Sequence, residues 1–298
     1  MPGKPMTDHG GVRGVFVGPR GLRTGWRLAL FVALVTVPSV PVTVFFSQQS
    51  PRFLFSPMGI FAGKAVTFVI VLAATWAMAR VEHRDLGAFG LPLVPGSGRR
   101  MLRGLAWGGG AVMLLIGGIA LTGGARVSVA PIAASEAAVY AGLWAGAMVA
   151  TAFAEEYLTR GYALVTLSDG IGFWPAAVLL SAAFGLIHVW NPGETWVGIT
   201  GAALFGLLLC YTVRVTGSLW LAVGIHTAWN WGETFLFGVP NSGIVAEGHL
   251  LTTSLHGPAW LTGGSVGPEA SLLGLPVLVL LFVGIRFVAW PDGRPPAS

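Results

Sequence analysis

Six consecutive residues, Glu155-Glu156-Tyr157-Leu158-Thr159-Arg160, interrupt an apolar stretch that runs from about residue 137 to 167. His188 ends the next apolar stretch, and His226 and Asn230 stand inside a later one. An ionisable side chain at membrane depth costs about 3 kcal/mol on insertion scales, so groups kept there point to function. A carboxylate among them can serve as general base toward water. Imidazole and amide donors can stabilise an oxyanion in a medium of low dielectric.

Spacing separates the two glutamates. Neighbouring residues on a helix project about 100° apart, so both carboxylates cannot face one small site. Glu156 and Arg160 are four apart and can pair on one face. Glu155 is then the carboxylate that faces a cavity. His226 and Asn230, also four apart, share a face, and Glu233 follows one turn on. Each has a simpler reading in isolation. Glu156–Arg160 suits a structural ion pair, His188 an interfacial position, His226 a bond to a neighbouring helix, and Glu233 a packing role near the outer interface. Their depths argue for a common site. At the helical rise per residue, Glu155 lies about 20 Å before a turn near 168–172 and His188 about 24 Å after it. By the same rise, His226 lies about 15 Å and Asn230 about 21 Å after a turn near 214–216.

The elements that must position these groups are membrane spans. The chain has 298 residues, 54% hydrophobic and 10% charged, with mean hydropathy +0.74. A soluble domain would carry about a quarter charged residues. Eight stretches reach the roughly 20 residues that a span needs: about 27–47, 59–79, 101–122, 137–167, 173–190, 195–211, 217–237 and 270–290. The first reads as an uncleaved span. The sole cysteine, Cys210, excludes a disulfide framework and a cysteine-based zinc site.

Lys4, Arg13, Arg20, Arg23 and Arg27 precede or open span one; Arg80, Arg84, Arg99, Arg100 and Arg103 surround the loop after span two. Arg214 and Arg294 fall on the same side, whereas the opposite loops hold only Arg52 and Arg126, with no Lys or Arg from Val215 through Ile285. Both termini are therefore expected in the cytoplasm. This pattern accounts for the basic pI without nucleic acid.

The expected fold is an all-α polytopic bundle of about eight spans. Residues 1–22 read as a disordered basic tail, 23–291 as the bundle with a catalytic core over 137–235, and 292–298 as a second tail. Gly104 with Gly108, Gly142 with Gly146 and Ala202 with Gly206 have helix-packing spacing. Trp26, Trp190 and Trp290 suit interface anchors. Residues 238–268 read as a surface loop on the non-cytoplasmic side, with His249 and His256 incidental.

Three ordered motifs, Glu-Glu-x-x-x-Arg at 155–160, Phe-x-x-x-His at 184–188 and His-x-x-x-Asn at 226–230, resemble the CPBP family of intramembrane metalloproteases. That family comprises type II CAAX prenyl endopeptidases and bacteriocin-processing, Abi-like relatives. The resemblance covers about residues 137–235, with a weaker echo in Leu86–Leu91. It implies an all-helical membrane peptidase in which Glu155 and His188 activate water, His226 and Asn230 stabilise the oxyanion, and Glu156 and Arg160 support the site. The substrates implied are membrane-anchored peptides or proteins, prenylated CAAX-type chains among them. A Zn²⁺ ion on Glu155, His188 and His226 suits the donor types; metal-free activation by the glutamate is the alternative. No His-Glu-x-x-His motif is present, so an ordinary zincin is excluded.

The resemblance also implies a multi-pass protein of the cell membrane whose partners are the bilayer and its substrate. Two other functions remain open: a non-catalytic scaffold or self-immunity protein of the same fold, and a proton-coupled transporter. The inverted repeats and broken helices common in transporters are not seen in the sequence. The peptidase reading makes a geometric demand. Spans four, five and seven must bring Glu155, His188, His226 and Asn230 onto one cavity, which the resemblance has opening to the cytoplasm or to lipid.

Overall fold

The computed structural model describes residues 16–18 and 21–288. Its α-helices longer than four residues are α1 (Thr24–Ser47), α2 (Pro57–Glu82), α3 (Ser97–Leu121), α4 (Ala134–Glu156), α5 (Ala163–Ile171), α6 (Phe173–Ile187), α7 (Trp196–Thr216), α8 (Trp220–Trp231) and α9 (Gly274–Val288). Two strands, β1 (Ala125–Val129) and β2 (Leu251–Leu255), pair antiparallel with Ala125 opposite Leu255. Residues 292–298, Trp290 and most of the basic tail fall outside the described residues. At the end of that tail, Val17–Gly18 pairs with Gly21–Leu22.

The helical membrane architecture is as expected, but the spans are of two kinds. Six helices are long and apolar enough to cross a bilayer: α1, α2, α3, the continuous path Ala134–Ile171, Phe173–Trp190 and α7. The seventh and eighth expected spans are shorter. α8 has 12 residues and continues through a five-residue π turn, Gly232–Leu236. α9 has 15. The shortness of α8 follows from its place, since every residue from Leu221 through Thr227 is buried. A helix apolar all round packs inside a bundle and need not match the bilayer.

Local sequence sets the helix starts. The Ser56 side chain accepts from Gly59 N–H at 3.1 Å with Pro57 in the first turn of α2. Thr195 accepts from Gly198 N–H at 3.1 Å at the start of α7. Glycine sets how closely α3 and α8 pack. A Cβ on Gly104 would stand 2.4 Å from the Leu221 carbonyl oxygen, one on Gly108 2.2 Å from that of Ile225, and one on Gly224 2.3 Å from that of Met101. These backbones touch because no side chain intervenes. The Gly142–Gly146 pair, by contrast, meets no other helix backbone: Gly142 faces open space and Gly146 only the Phe61 ring at 3.8 Å.

The two ends of the bundle differ in chemistry. At one end Arg27 pairs with Glu82 and Asp169, and Arg84 with Asp169 at 3.1 Å, tying together the start of α1, the end of α2 and the end of α5. The Arg214 guanidinium lies over the Phe173 ring, and the Trp220 indole donates to the Pro92 carbonyl at 3.0 Å. At the other end the β1–β2 ladder, the 191–195 turn and the 237–273 segment lie together. There Trp144 donates to the Glu247 carbonyl at 3.0 Å, and Gly243 N–H to that of Val266 at 2.8 Å.

Candidate active site

The glutamate motif sits where the helical path changes pitch. α4 ends at Glu156, a π turn spans Tyr157–Tyr162, and α5 resumes at Ala163. Gly161 leaves helical geometry, with φ −80° and ψ −116°. π turns recur at functional sites because they turn side chains out of the regular α-helical sequence of faces. Here Glu156 and Arg160 still meet, with Arg160 Nη1 donating to Glu156 Oε1 at 3.0 Å. Both side chains are fully buried.

Three devices hold Arg160. Its Nη1 also donates to Thr159 Oγ1 at 2.9 Å. Its guanidinium lies 4.5 Å from the centre of the Phe184 ring, within cation–π range. A Cβ on Gly206 would stand 2.6 Å from Nη2, so the bare glycine of α7 provides the space that the guanidinium fills. The expected small-residue contact at Gly206 thus accommodates a charged side chain and not another helix backbone.

Glu156 has a second partner that its spacing did not reveal. His226 Nδ1–H donates to Glu156 Oε1 at 2.8 Å. One carboxylate oxygen thereby joins Arg160 to the histidine of α8. The bond fixes the ring orientation and leaves Nε2 on the cavity side, 3.8 Å from Glu155 Oε2. The Phe205 ring meets His226 edge-on at 5.6 Å between centroids.

His188 is fixed in a parallel manner. Its Nδ1–H donates to the Phe184 carbonyl at 2.7 Å, and its ring meets the Phe184 ring at 4.8 Å. The Phe-x-x-x-His spacing is explained by this bond: the carbonyl four residues back takes the proton and frees Nε2. Phe184 thus supports His188 through its backbone and Arg160 through its ring. A Cβ on Gly185 would stand 2.5 Å from the Ile199 carbonyl oxygen, so glycine there brings α6 against α7.

Glu155, His188, His226 and Asn230 all line one cavity of about 500 Å³. Spans four and seven pack directly; span five reaches span seven chiefly through α7. As the spacing predicted, Glu155 faces the cavity and Glu156 turns to Arg160. Asn230 is part of the same lining, and its backbone carbonyl accepts from Asn241 Nδ2 at 3.4 Å.

Sequence reasoning missed Lys64. It lies in the second turn of α2, and its Nζ donates to Glu155 Oε1 at 2.5 Å. The signal was available, since a lone lysine inside an otherwise apolar span marks function as much as a lone glutamate does.

Two other expectations change. Residues 238–268 are more than a surface loop, because Asn241, Ser242, Ile244 and Ala246 form part of the cavity wall. Glu233 is not interfacial: it is fully buried, neither carboxyl oxygen makes a hydrogen bond, and the Trp229 indole faces it without hydrogen-bond geometry. Glu269, just before α9, lies near it and accepts from Ser242 N–H at 2.8 Å and from its Oγ at 3.1 Å. Burial raises the Glu269 carboxyl above the usual range, against the opposing influence of His188 and of the Ser242 bonds. His249 bonds Ala246 and Thr252 within the loop and takes no part in the cavity.

Among the described residues no three His, Cys, Asp or Glu side chains converge as a set able to hold a metal ion, and Glu155, His188 and His226 form no such set. The cation beside Glu155 is the Lys64 ammonium.

No curated protein and no solved structure matches the chain at a significant level. One family model does match, over residues 137–232, which run from the start of α4 to the end of α8 and contain all three motifs. Residues 137–232 are thus similar to the type II CAAX prenyl endopeptidase Rce1-like family, in keeping with the resemblance to the CPBP family.

Proposed function

We propose that the chain is an intramembrane endopeptidase of the cell membrane that hydrolyses membrane-associated peptide substrates with water activated by Glu155. The supporting observation is the division of labour between adjacent glutamates. Glu156 is buried against Arg160 and His226 Nδ1, while Glu155 borders the cavity beside His226 Nε2.

Glu155 Oε2 and His226 Nε2 stand 3.8 Å apart. A water beside them can donate one proton to Glu155 Oε2 and accept from His226 Nε2 when that nitrogen carries a proton, which places the donated proton within reach of the carboxylate. Glu155 takes that proton as the oxygen attacks the peptide carbonyl. His188, with Nε2 free, accepts a hydrogen bond from the same water and orients it. The resulting oxyanion is met by the Asn230 amide and by His226 Nε2 when that nitrogen carries a proton; Glu156 balances the imidazolium charge. Glu155 then returns its proton to the leaving nitrogen as the C–N bond breaks, giving an amine and a carboxylic acid, whose remaining proton passes to the amine to leave a carboxylate and an ammonium. Lys64 holds one Glu155 oxygen so that the other faces the water.

The test is hydrolysis of a library of bilayer-tethered peptides by the purified, reconstituted protein and by Glu155→Ala. Cleavage by the former alone supports the reading. Equal cleavage by both contradicts it, and cleavage by neither favours a non-catalytic scaffold.

A further inference from the structure

The two ends of the bundle carry opposite charge, and the cavity belongs to one of them. Arg27, Arg84, Arg99, Arg214 and Arg286 stand at helix ends of the same side, linked through the Arg27, Arg84 and Trp220 contacts described above. The other end has Arg52 and Arg126 but no Lys or Arg from Val215 through Ile285. The positive-inside bias assigns the arginine-rich end to the cytoplasm.

The cavity walls come from the middle of the bundle and from the opposite end. α2, α7 and α9 contribute their first turns, through Ile60, Val197 and Leu275, with Lys64 one turn further into α2, and α6 contributes its last turn through Phe184 and Ile187, with His188 just beyond it. The 191–194 turn and the 241–246 segment complete the wall. Toward the arginine-rich end the interior is closed by Phe89, Tyr157, Tyr162, Leu219 and Val223, all buried in one cluster and none lining the cavity. Besides the paired Lys64 and Glu155, the charged groups on the loop side of the site are the carboxylates of Glu194 and Glu269.

We propose that the cavity opens on the face opposite the arginine-rich end, the non-cytoplasmic face. It takes extended peptide segments presented there, with a cationic side chain or amine held by Glu194 and Glu269. The substrate half rests on the peptidase reading; the face does not. A C-terminal segment lipidated in the cytoplasm would meet the closed end, whereas the extracytoplasmic stem of a membrane-anchored chain would meet the open one.

Single cysteines test the face. Val245→Cys places a thiol in the exposed part of the cavity-wall loop, and Leu93→Cys places one in the exposed turn between α2 and α3; the native Cys210 is fully buried. A membrane-impermeant maleimide should label Val245→Cys in intact cells and Leu93→Cys only after permeabilisation. Labelling of Leu93→Cys in intact cells, alone or with Val245→Cys, overturns the proposal. In sealed vesicles of orientation fixed by this labelling, lipid-tethered peptides bearing Lys near the cleaved bond should be hydrolysed only from the Val245 side. Replacing that Lys by Glu should raise KM at least about tenfold. Hydrolysis only from the Leu93 side overturns the proposal. Absence of hydrolysis on both sides overturns the peptidase reading and its substrate, while the labelling still decides the face.

Discussion

Gly108→Ala is expected to disable the site without touching it. The added Cβ would lie 2.2 Å from the Ile225 carbonyl oxygen and 2.9 Å from Ile225 Cα, against 3.4 Å or more for an ordinary contact. No flexible side chain can relieve this overlap, because the opposing atoms are backbone. α8 must therefore move away from α3, and His226 follows Ile225 in the chain. Overpacking of this kind costs about 1–3 kcal/mol. A displacement of about 1 Å in a catalytic group costs about 10²-fold in rate. The next two positions supply the control. A Cβ on Gly109 or Gly110 meets nothing within 4 Å. Alanine there should stabilise α3 by up to about 1 kcal/mol through helix propensity alone. The assay is turnover of a tethered peptide together with the thermal midpoint for all three variants in one detergent. The account requires Gly108→Ala to lose most of kcat and the other two to keep it. Wild-type turnover in Gly108→Ala would refute the argument that backbone contact between α3 and α8 positions His226.

Three further outcomes are expected. Lys64→Met should lower kcat by about 10–100-fold with little change in KM, because the ammonium positions Glu155 and does not bind substrate; a KM effect alone would reassign Lys64 to binding. Arg160→Ala should destabilise by about 3 kcal/mol or more by leaving Glu156 charged and half-paired in the interior, and a double-mutant cycle with Glu156→Gln should show strong coupling. Additive single effects would argue against the pair. Glu269 has a raised pKa in the folded protein, so its contribution is most favourable at low pH and is lost as pH rises from the ordinary carboxylate value through the raised one. His188, Glu194 and Glu233 are the titratable groups about it. Glu269→Gln should flatten the fall of thermal midpoint over that window, and an unchanged slope would count against the burial.

Much of the site was legible in the sequence because its residues are polar groups within apolar helices, where each must find a partner. The four-residue spacing of Glu156 and Arg160 correctly assigned which glutamate faces the cavity. The bond from His226 to Glu156 was not legible, because it depends on how α8 rotates against α4, and that rotation is set by the glycines of α3. Lys64 pairs with Glu155 across 91 positions, and reading charge only for topology hid it. The shortness of α8 and α9 was not legible, because hydropathy measures apolarity, and a helix buried in protein is as apolar as one in lipid. The role of the 238–268 loop depends on the pairing of β2 with β1, a long-range contact that local pattern does not encode.

The central claim is that Glu155 is the base and Glu156 the support. Single-turnover cleavage and thermal midpoint for Glu155→Gln beside Glu156→Gln test it most directly. Glu155→Gln should keep the wild-type midpoint and lose about 10²–10⁴ in rate, the usual contribution of a general base. Glu156→Gln should lower the midpoint by disturbing the buried contacts with Arg160 and His226. Near-normal cleavage by Glu155→Gln, with cleavage abolished in a fully stable Glu156→Gln, would contradict the account and exchange the two roles.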